Sequence, residues 1–131
     1  MKTELWYLTL VTVLTGLLFL PYVLDRIGQW GLIDTVGYPV NPKPLSPWAQ
    51  RLMRAHANAV ENLVVFAVLV LVLDTMGIST PATVIACAVY FWARLAHVIV
   101  YTLGIPVLRT LCFAAGFAAQ VVLAVAIFSG H

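Results

Sequence analysis

Two arginines, an asparagine and a glutamate stand at short, regular intervals in a segment that is otherwise apolar enough to cross a membrane. They are Arg51, Arg54, Asn58 and Glu61, and the chain turns wholly apolar from Leu63 onward. At about 100° per helical residue, the four positions fall within roughly 80° and form one stripe about 15 Å long. Charge inside a bilayer is costly and usually faces a protein interior or a water-filled cavity. The spacing therefore predicts that something polar is bound or held against this face.

A second polar stripe follows in the next apolar segment. Tyr90, Arg94, His97 and Tyr101 are spaced four, three and four residues apart, so on a helix they lie within roughly 60° of one another. One interpretation is a charge network between helices, with Arg94 paired to Glu61 and no ligand. His97 is either a buried structural histidine or a catalytic one, and the spacing leaves both open.

An anionic ligand is the interpretation that we favour for the two stripes. Arginines outnumber the single glutamate near this end of the segments: Arg51, Arg54, Arg94 and Arg109 against Glu61. In a medium of low dielectric, such a surplus favours an anion, and guanidinium groups bind carboxylates through paired hydrogen bonds.

The composition places the whole chain in a membrane. Apolar residues make up 63% of the 131 residues and charged residues 9%, whereas soluble domains average about 45–50% and about 25%. The mean hydropathy is +1.00. We expect an all-α integral membrane protein with one compact domain over residues 1–131. The net charge of +2 is too small to indicate nucleic acid or an acidic partner.

Long apolar runs without alternation predict four membrane-spanning helices rather than barrel strands. The predicted spans cover residues 5–24, 47–73, 80–103 and 106–129. Proline stands in the first turn of the third and fourth spans, where a helix tolerates it. Lys2 before the first apolar run resembles the start of a signal peptide, but no small-residue cleavage pattern follows, so we expect this span to be retained.

The basic residues predict the orientation of the spans. The first connection holds Arg26 and Lys43, the third leads into Arg109, and the second (residues 74–79) has neither Lys nor Arg. The positive-inside tendency then places the first and third connections in the cytoplasm, and we expect an inner or plasma membrane. The first connection, residues 25–46, is rich in Gly and Pro. It is either a lid over the cytoplasmic mouth or a connector with no other role.

Several polar residues and both cysteines lie off the two stripes. His56 points about 140° from the first stripe, so we expect it to meet another helix or subunit. On the fourth span, Gly116 permits close approach of a helix and Gln120 is expected to hydrogen-bond across one. Cys87 and Cys112 stand singly in apolar spans and are expected to be reduced packing residues. No cluster has the spacing of metal ligands.

The two stripes also carry a family resemblance. The run from Arg51 to Asn62, Arg-Leu-Met-Arg-Ala-His-Ala-Asn-Ala-Val-Glu-Asn, resembles the second-helix signature of the membrane-associated proteins in eicosanoid and glutathione metabolism, the MAPEG family. The run from Arg94 to Tyr101, followed by a proline and Arg109, resembles the third-helix signature and the start of the fourth helix. The resemblance covers essentially the whole chain and is to bacterial-type members similar to microsomal glutathione transferases.

The resemblance implies a four-helix bundle assembled as a homotrimer, with glutathione bound between neighbouring subunits. It implies a glutathione S-transferase or peroxidase, whose lipophilic small-molecule substrate, an electrophile or a lipid hydroperoxide, enters from the membrane lipid. The residues that match the family's glutathione-binding positions are Arg54, Asn58, Glu61, Arg94, His97 and Tyr101, with Arg26 as a looser match. The arginine cluster adds Arg51 to this set. Arg109 matches the arginine that stabilises the thiolate, and Thr110 matches a neighbouring hydroxyl.

Glutathione agrees with the chemistry of these residues. It offers carboxylates to arginines, an ammonium to Glu61, and a thiol whose pKa of about 8.5 a nearby guanidinium would lower. Two positions depart from the family: Ala57 where eicosanoid-branch members have an arginine, and Phe113 where some members have a tyrosine. The family also includes a non-catalytic member that binds lipid ligands and a partner enzyme. A lipid- or glutathione-binding scaffold, or a structural subunit or small transporter component, therefore stays open as an alternative.

Overall fold

The computed structural model of the protein describes residues 1–131 and contains helices and no strands. The helices, numbered in chain order, are α1 Thr3–Leu17, α2 Phe19–Trp30, α3 Leu32–Val36, α4 Pro47–Met76, α5 Pro81–Thr102 and α6 Pro106–Ser129. The nearly continuous pair α1–α2 and the helices α4, α5 and α6 are four stretches long and apolar enough to cross a membrane. The predicted all-α membrane architecture with four spans is confirmed.

The first span is longer than the prediction, which ended it at residue 24. The helix is interrupted at Leu18 and then continues to Trp30. Pro21 explains the interruption, because it has no N–H to bond the carbonyl four residues earlier. The end of α2 is polar, with Asp25 and Arg26 facing α4. The hydropathy of the sequence therefore falls before the helix ends.

Part of the first connection is ordered around the start of α4. The carboxylate of Asp25 accepts hydrogen bonds from the backbone N–H and the hydroxyl of Ser46, at 2.8 Å and 2.6 Å. Ser46 is the residue that precedes α4. The indole N–H of Trp30 donates to the carbonyl of Lys43. These bonds tie the end of α2 to both ends of residues 43–46.

α4 also runs past its predicted end at residue 73, continuing to Met76. Asp74 in its last turn forms an ion pair with Lys2, with 3.4 Å between the charged atoms. Gly77 then ends the helix in the left-handed conformation, with φ of 70°, which a glycine adopts at little cost.

α4 and α5 form the centre of the bundle, and α1 and α6 each pack against both of them. In the larger core cluster the rings of Phe66 and Tyr90 stack with centroids 3.8 Å apart, and Val11 and Leu123 pack around them. A smaller cluster, centred on Leu52, lies nearer the first connection. Tyr90 of the second predicted stripe belongs to the larger cluster, and Tyr101 packs against the smaller one.

The first and third connections lie at the same end of the bundle. The guanidinium Nε of Arg51 donates to the carbonyl of Thr102, the last residue of α5, at 2.8 Å. This end also holds Arg26, Arg54 and Arg109, and we call it the charged end. Its location in the cytoplasm stays a prediction.

Candidate functional site

The polar stripe on α4 divides into two edges. Arg51 and Asn58 form the edge that faces α5: Arg51 bonds the carbonyl of Thr102, and the Asn58 Oδ1 accepts a hydrogen bond from Arg94 Nη2 at 2.6 Å. Both side chains are partly buried. This edge is therefore used largely for packing between helices.

Arg54 and Glu61 form the other edge of the stripe. Both are exposed, although they stand on a membrane-spanning helix. The one ion pair within the chain joins Lys2 to Asp74 at the opposite end. Arg54 and Glu61 lie about 10 Å apart along the helix axis. Charges on a span are stable only against protein, ligand or water, so this edge requires a partner from outside the chain.

Arg94 lies in the interior of the bundle, bonded to an amide rather than to a carboxylate. The predicted pair between Arg94 and Glu61 does not form within the chain. Asn58 Oδ1 also lies 3.3 Å from the amide nitrogen of Asn62, and Gln120 donates to the Asn62 carbonyl at 3.2 Å. The structural role predicted for Gln120 is confirmed. Because a guanidinium only donates, Asn58 must turn its oxygen to Arg94 and its NH₂ group elsewhere.

Three buried polar atoms on the α5 stripe have no hydrogen-bond partner: Tyr90 OH, Arg94 Nε and His97 Nδ1. Arg94 and His97 are each 2% exposed, so the stripe faces the bundle interior. A Cβ placed on Gly116 would lie 3.5 Å from Arg94 Cδ, an ordinary van der Waals distance. Side chains of α5 therefore pack against this glycine, but the packing does not require a glycine there. A buried guanidinium without a carboxylate is electrostatically unfavourable. The interior therefore favours an anion nearby.

A cation and three rings come together between the end of α5 and the start of α6. The Arg109 guanidinium carbon lies 4.9 Å from the centroid of the Tyr101 ring. The His97 ring lies 5.5 Å from that of Tyr101 and 6.4 Å from that of Phe113. Thr110, next to Arg109, donates its hydroxyl to a carbonyl one turn earlier in α6, at 3.2 Å. Arg109 and Thr110 are both exposed.

Arg26 lies apart from these groups. Its guanidinium carbon is 5.2 Å from the Trp30 ring centroid, and its Nη2 is 3.9 Å from Met53 Sδ. The structure does not bring Arg26 to the stripes within one chain. His56 lies 2.7 Å from the hydroxyl of Tyr22 on α2, so its predicted contact with another helix is confirmed.

Sequence reasoning missed a buried carboxylate at the opposite end. Glu4 is 4% exposed, and its Oε2 lies 3.0 Å from the hydroxyl of Thr83, while Oε1 has no partner. Thr83 also forms a capping box with Thr80 at the start of α5. The positive end of the helix dipole stabilises the carboxylate there. Two features of the sequence could have indicated this contact. They are Glu4 at the start of an apolar run and Thr80-Pro81 at the start of a helix.

The remaining reactive side chains do not join the site. Cys87 is buried, Cys112 is partly buried, and both are free thiols. No three His, Cys, Asp or Glu side chains converge on a common point. The site at the charged end is therefore built from guanidinium, amide, imidazole and phenol groups, together with the Glu61 carboxylate and the Thr110 hydroxyl.

One family model covers nearly all of the chain. The model of the MAPEG family matches residues 5–129. The chain belongs to the MAPEG family. The matched range contains all the residues of the charged end and of both stripes. No individual curated protein matches the chain. The MAPEG family includes membrane glutathione transferases and also members without enzymatic activity.

Proposed function

We propose that this MAPEG protein is a membrane-bound glutathione transferase or peroxidase that acts, as a homotrimer, on lipophilic electrophiles or lipid hydroperoxides. The observation that carries the proposal is the exposed edge of α4, where Arg54 and Glu61 have no partner within the chain. Asn58 stands between them in sequence, and behind it lies Arg94, a buried cation without a carboxylate. This arrangement suits a zwitterionic ligand with excess negative charge.

Glutathione fits these groups one by one. Glu61 would accept hydrogen bonds from its ammonium, and Arg54 would bind a carboxylate through paired bonds. The NH₂ group of Asn58 is turned away from Arg94 and would donate to a ligand oxygen. The remaining N–H groups of Arg51, which are not used at Thr102, would add positive charge at the charged end. Arg26 would contribute from its place on α2 if a neighbouring subunit brings it to the site.

Buried residues would act through their neighbours. Arg94 fixes the orientation of the Asn58 amide and adds a positive potential. His97 packs against Tyr101, whose partly buried ring would line the ligand site. Both residues match the family's glutathione-binding positions, but their burial in the chain makes them positioning residues in our proposal.

The thiol chemistry is assigned to the start of α6. Glutathione supplies a thiol, and as a thiolate its sulfur would form a bond to an electrophilic carbon while the leaving group departs with the electron pair of the bond that breaks. With a hydroperoxide, the sulfur would attack the terminal oxygen, the O–O bond would break to give the alcohol, and a second glutathione would convert the resulting sulfenic acid to the disulfide and water. Arg109 is held against the Tyr101 ring with its guanidinium at the charged end, where it would favour the thiolate over the thiol. Thr110 would add a hydroxyl beside it. The thiol proton is released to solvent, since the site has no carboxylate near Arg109.

An apolar groove supports a lipophilic second substrate. Its volume is about 420 Å³, and it lies between α1, α2, α4 and α5 near the charged end. Leu14, Trp48, Leu52 and Ile99 are among the residues that line it. Electrophiles or hydroperoxides dissolved in the bilayer would reach such a groove directly from the acyl chains, and its concave shape would give them a place to bind.

Two residues favour a second candidate function, a non-catalytic lipid- or glutathione-binding scaffold. Phe113 lacks the hydroxyl that some members place near glutathione, and Ala57 removes an arginine from the exposed side of α4. The ligand would then bind without efficient formation of the thiolate.

A titration with glutathione tests the proposal. In the purified protein, the ultraviolet absorbance of the thiolate should rise saturably as glutathione binds. Glu61→Gln should weaken binding about ten- to a hundredfold, because a hydrogen bond to a charged group contributes about 1.5–3 kcal/mol. Asp34→Asn, on an exposed carboxylate of the first connection, is the matched control and should leave affinity unchanged. Binding without any thiolate signal would support a glutathione-binding scaffold. No binding at all would contradict the transferase or peroxidase and leave only a lipid-binding scaffold.

A further inference from the structure

The connection between α2 and α4 exposes apolar side chains that the rest of the chain leaves uncovered. Ile33 is 85% exposed and Val36 is 78% exposed. Leu32, Tyr38 and Val40 are exposed as well. Five exposed apolar residues within nine positions form a patch, and such a patch commonly marks a surface that meets a partner or a membrane.

The apolar side chains of α3 lie on one face of the helix. On α3, Leu32, Ile33 and Val36 lie within about 100° of one another. Asp34 falls outside this face and, together with Lys43, lines a polar cavity of about 270 Å³ between α3 and the returning chain. Val40 also lines this cavity, so the residues that remain on the outer apolar face are Leu32, Ile33, Val36 and Tyr38.

Hydrogen bonds hold the connection in this arrangement. Trp30 is bonded to the carbonyl of Lys43, and Gln29 lies 3.3 Å from the hydroxyl of Ser46, which Asp25 also binds. With both ends fixed to α2 and α4, the exposed face is a defined surface of the fold.

The start of α4, to which the connection is bonded, lies near the ends of the helices that are long enough to cross a membrane. Arg51 is level with Thr102, where α5 ends, and α4 begins at Pro47, about 6 Å further out. An interfacial segment places its apolar face about 5–10 Å into the boundary between headgroups and acyl chains. Trp48, also exposed, is an aromatic residue of the kind enriched at this depth.

We propose that the outer apolar face formed by Leu32, Ile33, Val36 and Tyr38 inserts into the headgroup–acyl boundary of the leaflet at the charged end. The partner is the lipid surface itself. Residues 31–46 contain one acidic and one basic residue, Asp34 and Lys43. Insertion therefore depends on apolar contact and does not require anionic lipid. The proposal is independent of any activity with glutathione.

Site-directed fluorescence in vesicles of zwitterionic phosphatidylcholine tests the insertion. The full chain carries Cys112→Ala, and the buried Cys87 is left in place. Ile33→Cys or Val36→Cys then receives an environment-sensitive maleimide dye, and Asp34→Cys on the other face of α3 is the matched control. The background without an added cysteine shows whether Cys87 reacts.

We expect the dyes at 33 and 36 to be quenched by lipids with a nitroxide near the headgroup. We expect iodide to quench them severalfold less than the dye at 34. Equal iodide quenching at all three positions would overturn the proposal. Dyes at 33 and 36 that are shielded from iodide and from nitroxide lipids alike would overturn it too, since a second protein copy would then cover the patch.

Discussion

Asn58 is the residue at which the buried and the exposed parts of the polar site meet. Its oxygen faces Arg94 in the interior, so its NH₂ group is the part available to a ligand. The buried Arg94 fixes the orientation of the Asn58 amide, because a guanidinium only donates hydrogen bonds and therefore must face the amide oxygen. The NH₂ group of this amide is thereby left to donate to a ligand at the exposed edge of α4.

Asn58→Asp should separate stability from binding. The carboxylate keeps the acceptor for Arg94 and neutralises a buried cation, so the thermal midpoint in detergent should stay equal or rise. The lost donor and the added negative charge should weaken binding of an S-alkylated glutathione about ten- to a hundredfold. Calorimetric binding and thermal melting followed by circular dichroism measure the two effects. Undiminished affinity would show that Asn58 serves only the helix contact. Asn58→Leu loses both the acceptor for Arg94 and the donor to the ligand, so it is the reference for a combined defect in stability and binding.

Arg109→Leu should change chemistry more than binding. Without the guanidinium, the pKa of the bound glutathione thiol should rise, and once this pKa lies above the pH each further unit lowers the thiolate fraction about tenfold. Thr110→Val should act in the same direction but more weakly, because the Thr110 hydroxyl already donates within α6. The measurement is the pH dependence of conjugation to a lipophilic chloronitrobenzene, with affinity for the S-alkylated analogue alongside. If the analogue no longer binds Arg109→Leu, the arginine is a carboxylate ligand instead.

At the scale of single residues, the sequence predicts the polar stripe on α4 but not its division. On a helical wheel Arg51 and Asn58 lie within about 20°, and Arg54 and Glu61 lie about 60–80° from Arg51. Which edge a neighbouring helix covers depends on the crossing of α4 and α5, and spacing within one helix carries no information about that crossing.

At the scale of elements, the start of α5 is joined to α1 through one buried carboxylate. Glu4 reaches the first turn of α5, where Thr83 both caps the helix and lies next to the carboxylate. The contact is far from the charged end along the bundle, so it serves the packing of the spans. A small change of side chain at this contact should therefore lower the free energy of unfolding.

Thr83→Val should lower the free energy of unfolding by about 1–3 kcal/mol, because it leaves the buried Glu4 carboxylate without a partner. Thermal melting in detergent measures the loss. Thr75→Val is the matched control, since the Thr75 hydroxyl is exposed and bonds only its own helix, and its effect should stay within about 0.5 kcal/mol. The double variant Glu4→Leu with Thr83→Val should recover stability, because both polar partners are then removed. A Thr83→Val protein as stable as the control would show that the contact contributes nothing.

Helix ends were the least predictable part of the elements. Hydropathy ended the first span at residue 24 because Asp25 and Arg26 are polar, yet the helix continues, since those side chains find partners around the start of α4. α4 likewise extends past residue 73, with Asp74 paired to Lys2 across the bundle. In both places a tertiary contact stabilises a polar turn as helix. Hydropathy along the sequence does not show such contacts.

At the scale of the whole molecule, one chain leaves the charges of α4 uncovered. Arg54 and Glu61 stand on the surface of a spanning helix, where contact with acyl chains would be unfavourable by about 2.5 kcal/mol or more per charge. A second copy of the chain is a partner that places protein, rather than lipid, over this edge. It would also enclose a site that a single chain leaves open on one side.

We therefore expect a homotrimer with the exposed edge of α4 at the boundary between subunits. Native mass spectrometry in a mild detergent should show the trimer mass, and titration with S-alkylated glutathione should add as many ligands as there are boundaries. Arg54→Leu with Glu61→Leu tests whether this edge lies at the boundary: the double variant should remain trimeric, because apolar contact replaces the charges, while ligand binding is lost. A wild-type monomer that still binds the analogue would contradict the assembly. A trimer that binds the analogue normally in the double variant would place the site elsewhere on the chain.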